Sequence, residues 1–191
     1  YDLYSLLPHF KQVNICASID GVGDIGEYIR TGLDWESWLE NFKQGMFLVD
    51  QYGDDAMVFD VTLTTPGLFG LKDMFDVVTE LDVKSYFKIT FAFDPSVLMN
   101  PLCLPKEILH EAIDDVLEYI EPKLTPKTQV YKDTLLNLKT RKTFAEEWPG
   151  TYQDGLKRGK SYVEFMEDVR SQKVTFREIL PESAQQWWDN I

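Results

Sequence analysis

Ser18, Asp20 and Arg30 fall within one stretch of the chain, VNICASIDGVGDIGEYIR at residues 13–30, and bring a hydroxyl, a carboxylate and a guanidinium together. The stretch alternates as a strand does, with Val13, Ile15, Ala17 and Ile19 on one face and Asn14, Cys16, Ser18 and Asp20 on the other. Gly21 and Gly23 then break the pattern, because glycine lets a backbone turn and approach another group without a Cβ clash. The three polar side chains are therefore expected at the C-terminal end of a strand, where parallel α/β folds build their sites, with residues 21–30 as a loop closing on Arg30. A second polar set, Asp60, Thr62 and Thr64, alternates with Phe59, Val61 and Leu63. These groups allow two chemistries. One is a ligand held by hydroxyls and a guanidinium; the other is general acid–base work by Asp20 and Asp60, with Lys88 as the positive group. The plainest alternative is an ordinary Asp20-Gly21 turn with Arg30 paired to a surface carboxylate.

Positioning these groups requires strands, and the chain supplies a repeating pattern. Strands are predicted over 13–20, 56–64 and 86–93, the last with Phe87, Ile89, Phe91 and Phe93 alternating with Lys88, Thr90 and Ala92. Between them, Asp34 caps a helix carrying Trp35, Trp38, Leu39, Phe42 and Met46, an aromatic stripe read as core. Residues 48–55 are read as a connection, Pro66-Gly67 as a strand stop and 70–80 as a second helix. Alternating strands and helices signal right-handed βαβ units on a parallel sheet. A sheet covered on both faces should read as unbroken Val, Ile and Leu, so the polar second face implies helices on one side and a wet, ligand-sized cavity on the other. Beyond it, Pro105 opens a helix with Leu109, Ile113, Val116, Leu117 and Ile120 on its buried stripe, and Pro122 stops it. One helix is predicted over 127–147 and another over 158–171, with Trp187-Trp188 docking the end of the chain.

Composition narrows the function classes. A length of 191 residues suffices for one domain with a substantial core and a helical appendage. The net charge of −13 argues against nucleic-acid binding, which needs clustered Lys and Arg. No apolar run approaches the roughly 18 residues that span a bilayer, so a soluble, cytoplasmic protein without a membrane partner is expected. Two cysteines, Cys16 and Cys103, are too few for a disulfide framework or for a cluster with about four thiolates, and His9 and His110 stand apart from them, so no metal site is predicted. The chain begins at Tyr1, with residues 2–10 reading as the tail of a helix carrying Leu3, Leu6 and Leu7, and is expected to be part of something longer.

Three stretches, in this order, resemble radical S-adenosylmethionine (SAM) enzymes, in particular the peptide- and protein-modifying branch with SPASM or twitch extensions. They are Ser18-Ile19-Asp20-Gly21 followed by Glu27-Tyr28-Ile29-Arg30; Asp94-Pro95 with Leu104-Pro105-Lys106-Glu107; and a helix end with Asp168 and Arg170, then Phe176, Leu180-Pro181-Glu182 and Trp187-Trp188. The resemblance implies an α/β fold, the C-terminal half of a partial, splayed (β/α)6 barrel of parallel strands over residues 1–122, with a mainly helical twitch-like extension over 123–191. It implies SAM binding by Ser18, Asp20, Gly21, Arg30, Thr62 and Thr64, with Arg30 on the cofactor's carboxylate. Where the family often has an asparagine shortly after the fifth strand, this chain has Gly67. In the family a C-x3-C-x2-C loop binds a [4Fe-4S] cluster that cleaves SAM to a 5′-deoxyadenosyl radical. That loop is missing here, so the cluster's ligands are expected outside this chain, the extension lacks the cysteines of an auxiliary cluster, and the chain alone is expected to be inactive. A peptide or protein substrate and a flavodoxin or ferredoxin reductant are implied; no residue is singled out as catalytic. A non-catalytic, acidic interaction module is the alternative from another class.

Overall fold

The computed structural model describes residues 3–90, 92 and 94–191. After α1 (Leu3–Leu6) and a 3-10 turn, the chain forms β1 (Ile15–Ile19), α2 (Gly23–Ile29), α3 (Trp35–Gln44) and α4 (Phe47–Tyr52), and returns as β2 (Met57–Leu63). The helices α5 (Thr65–Phe69) and α6 (Leu71–Leu81) lead to β3 (Lys84–Ile89). The strands make one parallel sheet in the order β1-β2-β3, with Ser18 beside Asp60 and Asp60 beside Tyr86. The expected α/β architecture with parallel strands is thus present.

The two faces of the sheet divide as their residue types require. Ile19, Phe59, Val61 and Leu63 are buried on the helix-covered side, while Ser18, Asp60, Thr62 and Lys88 occupy the other side and keep some exposure. Asp34 caps α3, its side chain accepting from Ser37 N–H at 2.9 Å. From that start the aromatic stripe reaches the sheet: Trp38 stacks on Phe42 at 5.5 Å, and Phe42 meets Phe59 edge-on at 4.8 Å. Each such buried side chain contributes about 1.5–3 kcal/mol of burial free energy.

Several local expectations give way to tertiary packing. Residues 21–30, expected as a loop, contain α2. The helix starts directly on the strand end because Gly21 and Gly26 touch backbone to backbone; a Cβ on Gly26 would lie 2.4 Å from the Gly21 carbonyl oxygen. The expected connection at 48–55 holds α4. Pro66-Gly67, expected only to stop a strand, lies inside α5, which Thr64 caps. The third strand begins earlier than expected, at Lys84, and ends at Ile89, with Thr90 N–H still donating to Leu63 carbonyl at 3.1 Å; Phe91 and Phe93 lie outside the described residues.

The remaining helices are α7 (Lys106–Ile120), α8 (Gln129–Lys139), α9 (Phe144–Glu147), α10 (Tyr152–Arg170), α11 (Phe176–Ile179) and α12 (Glu182–Asp189). The single helix expected over 127–147 is two, since Thr143 and Glu146 form a reciprocal capping box that starts α9 afresh. These helices close on the sheet. Tyr131 of α8 packs edge-on against Phe87 at 4.6 Å, Tyr152 donates to the Cys103 carbonyl at 2.7 Å, and Trp188 stacks on Phe176 at 4.9 Å. A single buried cluster includes residues from both the 1–122 and 123–191 stretches. Among the described residues no helix is long and apolar enough to cross a membrane.

Candidate functional site

Asp20 follows the last residue of β1 and is the hub of the site. Its Oδ1 accepts from Thr62 N–H at 3.0 Å, tying the end of β1 to β2, and its Oδ2 accepts from Arg30 Nε at 2.8 Å. Arg30 Nη2 donates to Ser18 Oγ at 2.8 Å. The Asp20 side chain keeps 10% exposure and that of Arg30 38%, so the carboxylate is sheltered while the guanidinium reaches solvent. A guanidinium carries five N–H donors, so these two bonds fix its plane and leave others for a ligand. The plain alternative of Arg30 on a surface carboxylate is thereby replaced by a pair with a nearly buried one at a strand end.

The other expected residues arrange themselves around this group. Thr64 Oγ1 accepts from Gly67 N–H at 3.0 Å as the cap of α5. Gly67 is required there, since a Cβ would stand 2.6 Å from the Asp20 carbonyl oxygen; an asparagine would not fit. Gly21 serves the close contact with α2. Asp60 lies on the same sheet face but is bound to Lys88 at 2.9 Å. Asp20 and Asp60, the candidate acid–base pair, are thus each committed to a cation.

At the C-terminal ends of the strands lies a cavity of about 290 Å³, with Asp20, Thr62, Thr64 and Thr90 on the sheet side and Val163, Met166, Glu167 and Arg170 of α10 opposite. Ser18 and Arg30 stand outside its wall. The closure is held by Glu167, whose Oε1 accepts from Tyr28 Oη at 2.8 Å and from Phe176 N–H at 2.5 Å, and by Gln172 Nε2 donating to the Tyr28 carbonyl at 3.1 Å. Burial and the adjacent Glu167 charge push the Tyr28 phenol well above its ordinary pKa, so it stays a neutral donor. Tyr28, Glu167, Arg170 and Gln172 were not assigned to this site from sequence. The signal available was helical spacing, since Val163, Met166, Glu167 and Arg170 share one face of α10.

The cysteines do not fit an iron–sulfur centre. Cys16 is exposed on β1, and Cys103 is buried against Thr65, where desolvation pushes its thiol up to about 12. Among the described residues no group of three His, Cys, Asp or Glu is placed to hold a metal ion. The strand-end hydroxyls and Arg30 do fit a ligand with a carboxylate and hydrogen-bonding groups, as SAM has.

Comparison of the chain with protein-family models, with curated proteins and with solved structures gives no match.

Proposed function

We propose that this chain is the C-terminal part of a radical SAM enzyme and binds SAM at its strand ends, within a partial, splayed (β/α)6 barrel completed by another segment. The observation that carries this reading is the Asp20–Arg30–Ser18 group, held at the end of one parallel strand beside Thr62 and Thr64 at the end of the next. Asp20 and Ser18 orient the guanidinium, and its remaining N–H groups bind the cofactor's carboxylate. The threonine hydroxyls supply hydrogen bonds beside it. Helices α8 to α12 form a twitch-like extension that closes over the strand ends. The [4Fe-4S] cluster has no ligand set here and belongs to the segment outside this chain, as does the docking of a flavodoxin or ferredoxin reductant. The enzyme is cytoplasmic and its substrate is a peptide or protein.

Calorimetry of SAM binding tests the reading. Arg30→Ala should weaken binding by about 1.5–3 kcal/mol, the value of a charge-assisted hydrogen bond to a carboxylate. Arg30→Lys should recover only part of the loss, because an ammonium cannot reproduce the fork. The complete gene product, reconstituted anaerobically with iron and sulfide and reduced, should release 5′-deoxyadenosine from SAM. Equal SAM affinity of wild type and Arg30→Ala, or no 5′-deoxyadenosine, would overturn it.

A further inference from the structure

The contacts that close the chain over the strand ends fall on two adjacent residues of α2, Glu27 and Tyr28, just before Arg30. Tyr28 Oη donates to Glu167 at 2.8 Å, the Tyr28 carbonyl accepts from Gln172 Nε2 at 3.1 Å, and Glu27 Oε2 accepts from Lys173 Nζ at 2.5 Å. These partners lie 139, 144 and 146 residues further along the chain, at the end of α10 and in the turn that follows it. Glu167 also accepts from Phe176 N–H at 2.5 Å, and the Tyr28 ring packs on Phe176 with centroids 6.4 Å apart. Hydroxyl, ring and carbonyl of Tyr28 all lean on the C-terminal helices.

The end of α2 depends on that support. The helix stops at Ile29, before the residue whose N–H could take up the Tyr28 carbonyl, and Gln172 supplies the missing donor. Arg30 caps the same turn, its N–H donating to the Gly26 carbonyl at 3.0 Å. From this position its side chain reaches back to Asp20 and Ser18 at 2.8 Å each. The separation of the helix end from β1 therefore decides whether the guanidinium meets both acceptors, because hydrogen bonds weaken steeply once distance and angle depart from ideal.

We infer that Tyr28 is a positioning residue, through whose hydroxyl and carbonyl the C-terminal helices set the place of the Arg30 guanidinium at the strand ends. Ligand binding at Arg30 and closure of α10 and α11 are then coupled, and the coupling is reciprocal. That the ligand is SAM rests on the reading above; the link from Glu167 and Gln172 to Arg30 does not.

The test is heteronuclear NMR of the Arg30 Nε–H in this chain without ligand, the signal being assigned by its loss in Arg30→Lys. Tyr28→Phe and Gln172→Ala should each speed its exchange with water, and together by about five-fold or more, the lower end of couplings between sites. Tyr131→Phe removes the same group from a buried hydrogen bond to Ser85, near the start of β3, and should leave the Arg30 signal unchanged. In the other direction, saturating SAM should slow amide exchange at Phe176, whose N–H bonds Glu167. An Arg30 signal unchanged in the double variant would overturn the inference, as would SAM that binds without slowing exchange at Phe176. An equal response in Tyr131→Phe would overturn it too, since the effect would then be one of general stability. Should the double variant fail to fold, Gln172→Ala decides by the same signal, because it leaves every side chain of α2 in place. Failure of the SAM reading would look different: Arg30 would respond to Tyr28 and Gln172 while wild type bound no SAM.

Discussion

Asp20 and Arg30 are ten residues apart in the chain and 2.8 Å apart in space, one following the end of β1 and the other at the end of α2. Their contact folds the intervening helix back onto the strand it came from. Because Asp20 also accepts from Thr62 N–H, the same carboxylate joins two neighbouring strand ends and one helix end. The candidate site is therefore part of what holds this corner of the sheet together.

Removing that carboxylate should cost stability as well as binding. Asp20→Ala leaves Thr62 N–H and Arg30 without their acceptor, and about 1–3 kcal/mol should be lost in urea unfolding. Asp20→Asn keeps an acceptor for Thr62 and should lose less. Equal stability of the alanine variant and wild type would show that the hub does not support the fold.

Gly67 offers a steric test of the same corner. A Cβ there would lie 2.6 Å from the Asp20 carbonyl oxygen, so Gly67→Ala must displace α5 or the end of β1, at about 1–3 kcal/mol. Gly155 in α10 has no atom within 4 Å of an added Cβ. Gly155→Ala should instead stabilise the chain by about 0.5–1 kcal/mol through helix propensity. Denaturant midpoints moving in opposite directions are the expected result; a neutral Gly67→Ala would contradict the packing described for α5.

Glu146 provides a pH signature for the start of α9. The Lys106 ammonium and the Thr143 N–H hold its carboxyl down to about 2, below the ordinary glutamate value of 4.5. A depressed folded-state value means that the charged form stabilises the fold above about pH 4.5, and that this contribution fades as the pH falls toward 2. Wild type should therefore melt above Glu146→Gln at neutral pH, with the gap closing between those two values. A gap that is constant across that range would mean that the carboxylate's charge is not what caps the helix.

The sequence by itself determined the parallel strand–helix order, the polar face of the sheet and the placing of Ser18, Asp20, Thr62 and Thr64 at strand ends. Those features follow from periodicity two along a strand, periodicity 3.6 along a helix and the handedness of βαβ crossovers, all of which are local or nearly so. Asp34 as the cap of α3 and the aromatic stripe behind it were legible for the same reason. What only the tertiary structure decided depends on contacts between distant segments. Helix α2 forms where glycines argue for a loop, because the Gly21–Gly26 contact lets it pack against the strand end. The Thr143–Glu146 capping box splits a stretch whose hydrophobic spacing alone reads as one helix. Arg30 is oriented by Asp20 and Ser18, and the cavity has a far wall because Glu167 reaches Tyr28 across 139 residues of sequence. No period in the chain encodes that distance; it is set by which buried donors and acceptors must find each other once water is excluded.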